Sequence, residues 1–238
     1  MRRILFILLT LTALAGISSA NPLCLSDTIA NYITNYNTLA TACQVGDKLF
    51  YGFGYSGTGN NATAPTSSQV MINGDGSNPN EPGLIFTSPS TGGWTVTGTA
   101  TPGSPIYIDS NISFNVAVIG NLPLITDASL NIAGSFNIVG QAVADIGETI
   151  TYAGGSLALE VDSNLGPFTS VGSLPNVSGL KVNKDLIVII PAPSSGTFSG
   201  TATITSFREG FSESTPEPVT MALLGSGLVA LGLLRRRR

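Results

Sequence analysis

Apolar and polar positions alternate through the middle of this chain. Ile106, Ile108, Ile112, Phe114, Val116 and Val118 occupy even positions, while Asp109, Asn111, Ser113 and Asn115 fall between them. Leu130, Ile132, Phe136 and Ile138 repeat the pattern against Asn131, Ser135 and Asn137. It returns at Leu157, Leu159 and Val161, at Leu180, Val182, Leu186, Val188 and Ile190, and at Phe198, Gly200, Ala202 and Ile204. Earlier, Tyr51, Phe53 and Tyr55 alternate with smaller residues, and Trp94, Val96 and Gly98 share a face. Period two with one polar face is the pattern of antiparallel sheet. Turn signals separate the runs: Pro102-Gly103, Gly120 to Pro123, Gly154-Gly155, Pro175-Asn176 and Pro191 to Pro193. The pattern predicts an all-β fold, a single antiparallel β-sandwich of roughly eight to eleven strands over residues 21–208. Residues 209–218 read as a linker.

One stretch has a different period. Ile29, Tyr32, Ile33 and Tyr36 stand at i, i+3, i+4 and i+7, which predicts a short N-terminal helix with Ser26 or Asp27 as its cap. Cys24 and Cys43 flank it, and an even pair in an oxidising compartment reads as a disulfide. A bridge needs Cα atoms within about 7 Å, whereas a helix over 28–40 would hold its ends about 20 Å apart. The helix should therefore stop near Asn35 to Asn37 and let the chain double back. A longer helix with two free thiols is the competing reading.

Both ends are apolar. Met1-Arg2-Arg3, the run Ile4 to Ile17 and Ser18-Ser19-Ala20 form a secretory signal peptide, cut after Ala20. A retained signal anchor competes; a lipoprotein reading of Cys24 fails on the bulky Asn21-Pro22-Leu23 before it. At the other end, Val219 to Leu234 is an uncharged run of 16 residues, about 24 Å as a helix. That is short for a bilayer core of about 30 Å, and Arg235, Arg236, Arg237 and Arg238 can snorkel to extend it and stop transfer. Pro216 and Pro218 hold Glu217 extended just before it.

The order Pro216-Glu217-Pro218, a Leu/Gly-rich transmembrane helix, then terminal arginines resembles the PEP-CTERM sorting signal of Gram-negative bacteria. The resemblance covers residues 215–238 only. It implies an exported protein, transiently membrane-anchored and then cell-envelope or extracellular. It also implies an exosortase-type membrane enzyme as partner, with Pro216, Glu217 and Pro218 as recognition residues, and a link to exopolysaccharide.

Charge narrows the partners further. Between residues 21 and 218 stand Lys48, Lys181, Lys184 and Arg208 against fourteen acidic residues, a net charge of −10. That excludes nucleic acid, which needs clustered cations. With no histidine anywhere, Ser-His-Asp and Cys-His catalysis and histidine-ligated zinc are ruled out. No cofactor is implied. Asn73-Gly-Asp75-Gly-Ser77-Asn78-Pro-Asn80-Glu81 is rich in oxygen ligands, but Asn78 stands where a calcium loop needs glycine, and Leu84 where it needs an acid. A polar surface loop is the simpler reading. Glu160 with Asp162, or Asp145 with Glu148, could serve a glycosidase; Glu160 and Asp162 read more simply as a solvated face opposite Leu159 and Val161. The sequons at Asn61, Asn111 and Asn176 read as chance matches. The leading expectation is a non-enzymatic structural or adhesive protein. The alternatives are a carbohydrate-binding module using Trp94, Tyr107 or Tyr152, and a polysaccharide-acting hydrolase.

Overall fold

The Thr28 backbone is extended and its hydroxyl accepts from the Asn31 N–H, so helix α1 begins at Ile29 and runs to Asn35. The cap is thus Thr28, one residue past Asp27, whose Oδ1 instead accepts from the Thr28 N–H and the Asn31 amide. Two turns is the length the disulfide allows. Cys24 and Cys43 are bridged, with Cα atoms 4.9 Å apart. Ile29 and Tyr32 carry the apolar face of α1 into the core.

The structure, a computed structural model, describes residues 21–88, 93–121, 124–132, 136–163 and 168–213. The expected signal peptide 1–20, the sorting motif Pro216–Pro218, the apolar run 219–234 and Arg235 to Arg238 lie outside them. Among the described residues no helix is long and apolar enough to cross a membrane.

Fifteen strands are described: β1 (Asp27–Thr28), β2 (Cys43–Val45), β3 (Lys48–Asn60), β4 (Met71–Asp75), β5 (Gly83–Thr87), β6 (Trp94–Ala100), β7 (Ile106–Val118) and β8 (Ile125–Ile132) come first. They are followed by β9 (Phe136–Gly140), β10 (Val143–Tyr152), β11 (Gly155–Asp162), β12 (Thr169–Val177), β13 (Gly179–Ile190), β14 (Phe198–Ile204) and β15 (Ser206–Glu213). The front sheet runs β11-β10-β13-β7-β3-β2, the back sheet β1-β4-β5-β15-β8-β12, and a third β6-β14-β9. Every pairing between these strands is antiparallel. The third sheet continues the back sheet, since β5, β8 and β15 neighbour one another in the same order as β6, β9 and β14. β6 and β14 pack over β7 and β13 of the front sheet, so the architecture is a sandwich with one divided layer.

That division accounts for strands beyond the expected eight to eleven. Ala202 and Ile204 face inward at even positions, whereas Phe207 and Phe211 do so at odd ones. Thr205 absorbs the one-residue change of phase. The linker expected from residue 209 starts too early. Residues 209–213 belong to β15, an interior strand between β5 and β8. Its inward row Phe207, Glu209, Phe211 is broken by a carboxylate, which conceals the alternation.

Stacked and tilted rings join the layers. Across the layers, Phe86 lies 5.8 Å from Phe114 and Phe50 6.1 Å from Phe211. Within the front sheet Phe53 stacks on Phe114 at 5.7 Å, and within the back sheet Phe86 stacks on Phe207 at 4.9 Å, with Trp94 5.7 Å beyond. These rings are buried on both sides and belong to one continuous core.

Candidate functional site

The front sheet turns its odd positions on β7, β10 and β13 outward, because the even ones are apolar and buried: Ile108, Ile112 and Phe114 on β7, Val182 and Leu186 on β13. Register then places polar residues side by side across four strands. One row reads Glu160, Gly147, Asp185, Asn111; the adjacent row reads Asp162, Asp145, Ile187, Asp109. Neighbours within a row stand about 5 Å apart and rows about 7 Å apart. A groove of about 580 Å³ crosses this surface, lined by Asp109, Asn111, Thr149, Glu160, Asn183 and Asp185. Gly147 forms its floor: a Cβ there would meet only the Asp185 carbonyl oxygen, at 3.9 Å.

The electrostatics follow from the crowding. Partial burial, then the charges of Glu160, Asp162 and Asp185, push the Asp145 carboxyl up to about 6. Burial and the neighbouring Asp109 raise Asp185 as well. Three of the body's four basic residues are engaged elsewhere: Lys48 with Asp47 and Glu213, Lys184 with Glu148 and Glu209, Arg208 with Asp75 and Glu81. Lys181 alone is exposed, about 13 Å along β13 from Asp185. The groove can therefore accept hydrogen bonds from hydroxyl or amine groups, and it repels anions.

The sequence candidates scatter. Glu160 is exposed and Asp162 half-buried on the outer face, opposite the buried Leu159 and Val161, as the solvated-face reading expects. Asp145 and Glu148 do not pair, because residues three apart on a strand face opposite sides; Glu148 lies inside. Trp94 has no exposure and belongs to the core. Tyr152 packs against the core edge beside Gly155. Only Tyr107 of the three rings lies on the outer face, half-buried, two positions from Asp109. Asn111, Asn183 and Asp185 also line the groove, and their only signal in sequence is their place in the outward phase of long strands.

The oxygen-rich loop after β4 is held by an arginine. Asp75 accepts from the Ser77 N–H at 3.0 Å and from Arg208 Nε, and Glu81 Oε1 lies 3.1 Å from Arg208 Nη1. Burial opposes ionisation of Asp75, yet these Ser77 and Arg208 contacts hold its carboxyl below the ordinary value. Among the described residues no group of three or more acids, cysteines or histidines is placed to hold a metal ion.

No family model matches the chain, and no curated protein matches it. Among solved structures it is similar to TmCBM61 in complex with beta-1,4-galactotriose, at 13% identity and TM-score 0.25, covering 65% of this chain and 86% of that one. It is also similar to the enzymatically active domain of bacteriophage CBA120 tailspike protein 4, at 13% identity and TM-score 0.24, covering 67% of this chain and 19% of that one. A third likeness is to a family 11 carbohydrate-binding module from Clostridium thermocellum with a beta-1,3-1,4-mixed-linked tetrasaccharide, at 9% identity and TM-score 0.16, covering 69% and 89%. At such TM-scores none of these places a ligand on this chain.

Proposed function

We propose that this chain is a non-enzymatic, exported protein of the cell envelope or extracellular matrix that binds a polysaccharide on the outer face of its front sheet. The observation that carries this reading is the groove across β11, β10, β13 and β7. It presents carboxylates, carboxamides and a threonine hydroxyl on rigid strands, with Tyr107 near its border. Polyhydroxylated chains are held by such fixed arrays of acceptors beside an aromatic ring. The local excess of carboxylate selects a neutral or amine-bearing glycan over an acidic one. Export and sorting rest on the resemblance of residues 215–238, with an exosortase-type enzyme acting at Pro216, Glu217 and Pro218 before release from the membrane.

Two measurements test the two halves separately. Glycan-array binding by the purified protein should favour neutral or amino sugars, and Gly147→Leu, which fills the groove, should abolish it at unchanged stability. Binding that survives this substitution would sink the groove as the site. For sorting, Glu217→Ala should leave unprocessed precursor in the membrane; normal release of that variant would remove the motif from the account. Degradation of polysaccharide by the wild type but not by Glu160→Gln would replace the binding role with a hydrolase.

A further inference from the structure

A second group of carboxylates lies between the layers, apart from the groove. From β13, Lys184 Nζ donates to Glu148 Oε2 on β10 and, at 2.6 Å, to Glu209 Oε2 on β15. All three side chains have no solvent exposure. Their ladder neighbours are otherwise aliphatic: Leu84 of β5 and Leu130 of β8 flank Glu209, Ile112 of β7 stands beside Lys184, and Leu159 of β11 beside Glu148. The Phe207 ring centre is 5.6 Å from the ammonium. The charges acting on Glu209 are those of Glu148 and Lys184.

Two carboxylates and one ammonium leave one uncompensated negative charge in a buried, largely apolar layer, which is strongly unfavourable. Glu148 Oε1 and Glu209 Oε1 are both buried with no protein donor among the described residues. A single proton answers both problems. On Glu209 it neutralises the cluster and gives Glu148 a hydrogen bond. We propose that this triad holds one structural proton at neutral pH, and that the attachment of β15 to the front sheet, and with it the stability of the body, weakens as that proton is lost.

Burial and the Glu148 charge raise the Glu209 carboxyl well above its ordinary value, against the pull of Lys184. Burial disfavours the Lys184 ammonium, but Glu148 and Glu209 together hold it above its ordinary value, so it stays charged throughout. A carboxyl raised in the folded state contributes fully below about pH 4.5, and the contribution is lost as pH rises through the raised value.

The test is equilibrium unfolding of the full chain in detergent from pH 5 to 7, comparing wild type with Glu209→Gln. Glutamine keeps the shape and supplies a permanent neutral donor. The folding constant of the wild type should fall about tenfold per pH unit relative to the variant. Asp145, Asp185 and Glu213, which are also raised, are common to both proteins and cancel. Parallel profiles would overturn the proposal. Should the variant not fold, infrared spectroscopy of the wild type at pH 7 decides. A protonated-carboxyl band that exchanges slowly with deuterium supports the buried proton, and its absence overturns it.

Discussion

The front sheet has charged residues on both its faces, and the two sides treat them differently: β10 turns Asp145 outward and Glu148 inward, and β13 turns Asp185 outward and Lys184 inward. Outside, Asp145, Glu160, Asp162, Asp185 and Asp109 crowd into two rows with water beside them. Inside, Glu148 and Glu209 meet around Lys184 with no side-chain exposure to solvent. At the surface, like-charge repulsion is softened by solvent, and Asp145 is raised first by partial burial and then by the charges of Glu160, Asp162 and Asp185. In the interior the same repulsion must be cancelled by an ammonium and a proton. A surface cluster therefore keeps spare capacity for a ligand, whereas a sealed one spends its capacity on holding strands together.

The largest effect should come from removing the interior cation. Lys184→Met leaves the Glu148–Glu209 pair without its cation in apolar surroundings and should cost about 3–5 kcal/mol in denaturant unfolding. If the loss is within about 0.5 kcal/mol, the two sides of the sheet are electrostatically equivalent and the contrast fails. The disulfide is a yardstick between the extremes. Replacing Cys24 and Cys43, separated by 19 positions, with alanine should cost about 3 kcal/mol.

On the outer face, Asp145→Asn should flatten part of the stability profile. The folded carboxyl is raised to about 6, so its contribution is complete below about pH 4 and lost as pH rises through 6. Screening at this half-open site limits the change to about 1 kcal/mol. A profile unchanged by the substitution would mean that neither partial burial nor the neighbouring carboxylates raise Asp145. Least of all should depend on the neutral outer face of the third sheet, where Thr97 and Thr201 hydroxyls lie 3.0 Å apart. Thr97→Ala should cost about 0.2–1 kcal/mol at every pH, and any pH dependence there would show that the groove's field reaches farther than a Debye length.

Much of the front sheet was legible before any coordinates. The even positions of 106–118 and 180–190 are the buried ones, and the odd positions carry the groove. An even pair of cysteines implies the disulfide, and the span that bridge allows implies a helix ending near Asn35 to Asn37; the bridge is present and the helix ends at Asn35. The triad left a trace as well. Lys184 interrupts Val182 and Leu186, Glu148 interrupts Ile146 and Ile150, and Glu209 interrupts Phe207 and Phe211, each in the apolar phase of its strand. A lone charge in such a phase reads locally as noise or as a break, and for Glu209 it hid half a strand.

Periodicity alone settled the all-β character and the polar face of each long strand, because successive side chains alternate and water sorts them. It also settled where the chain turns back after α1, because a covalent bridge caps the distance. Which strands neighbour one another was decided only in three dimensions. So was the division of the back layer at Thr205, and the meeting of Lys184 with acids 36 and 25 residues away. Those contacts depend on register between distant segments, and a buried charge declares its partner only when the layers close over it.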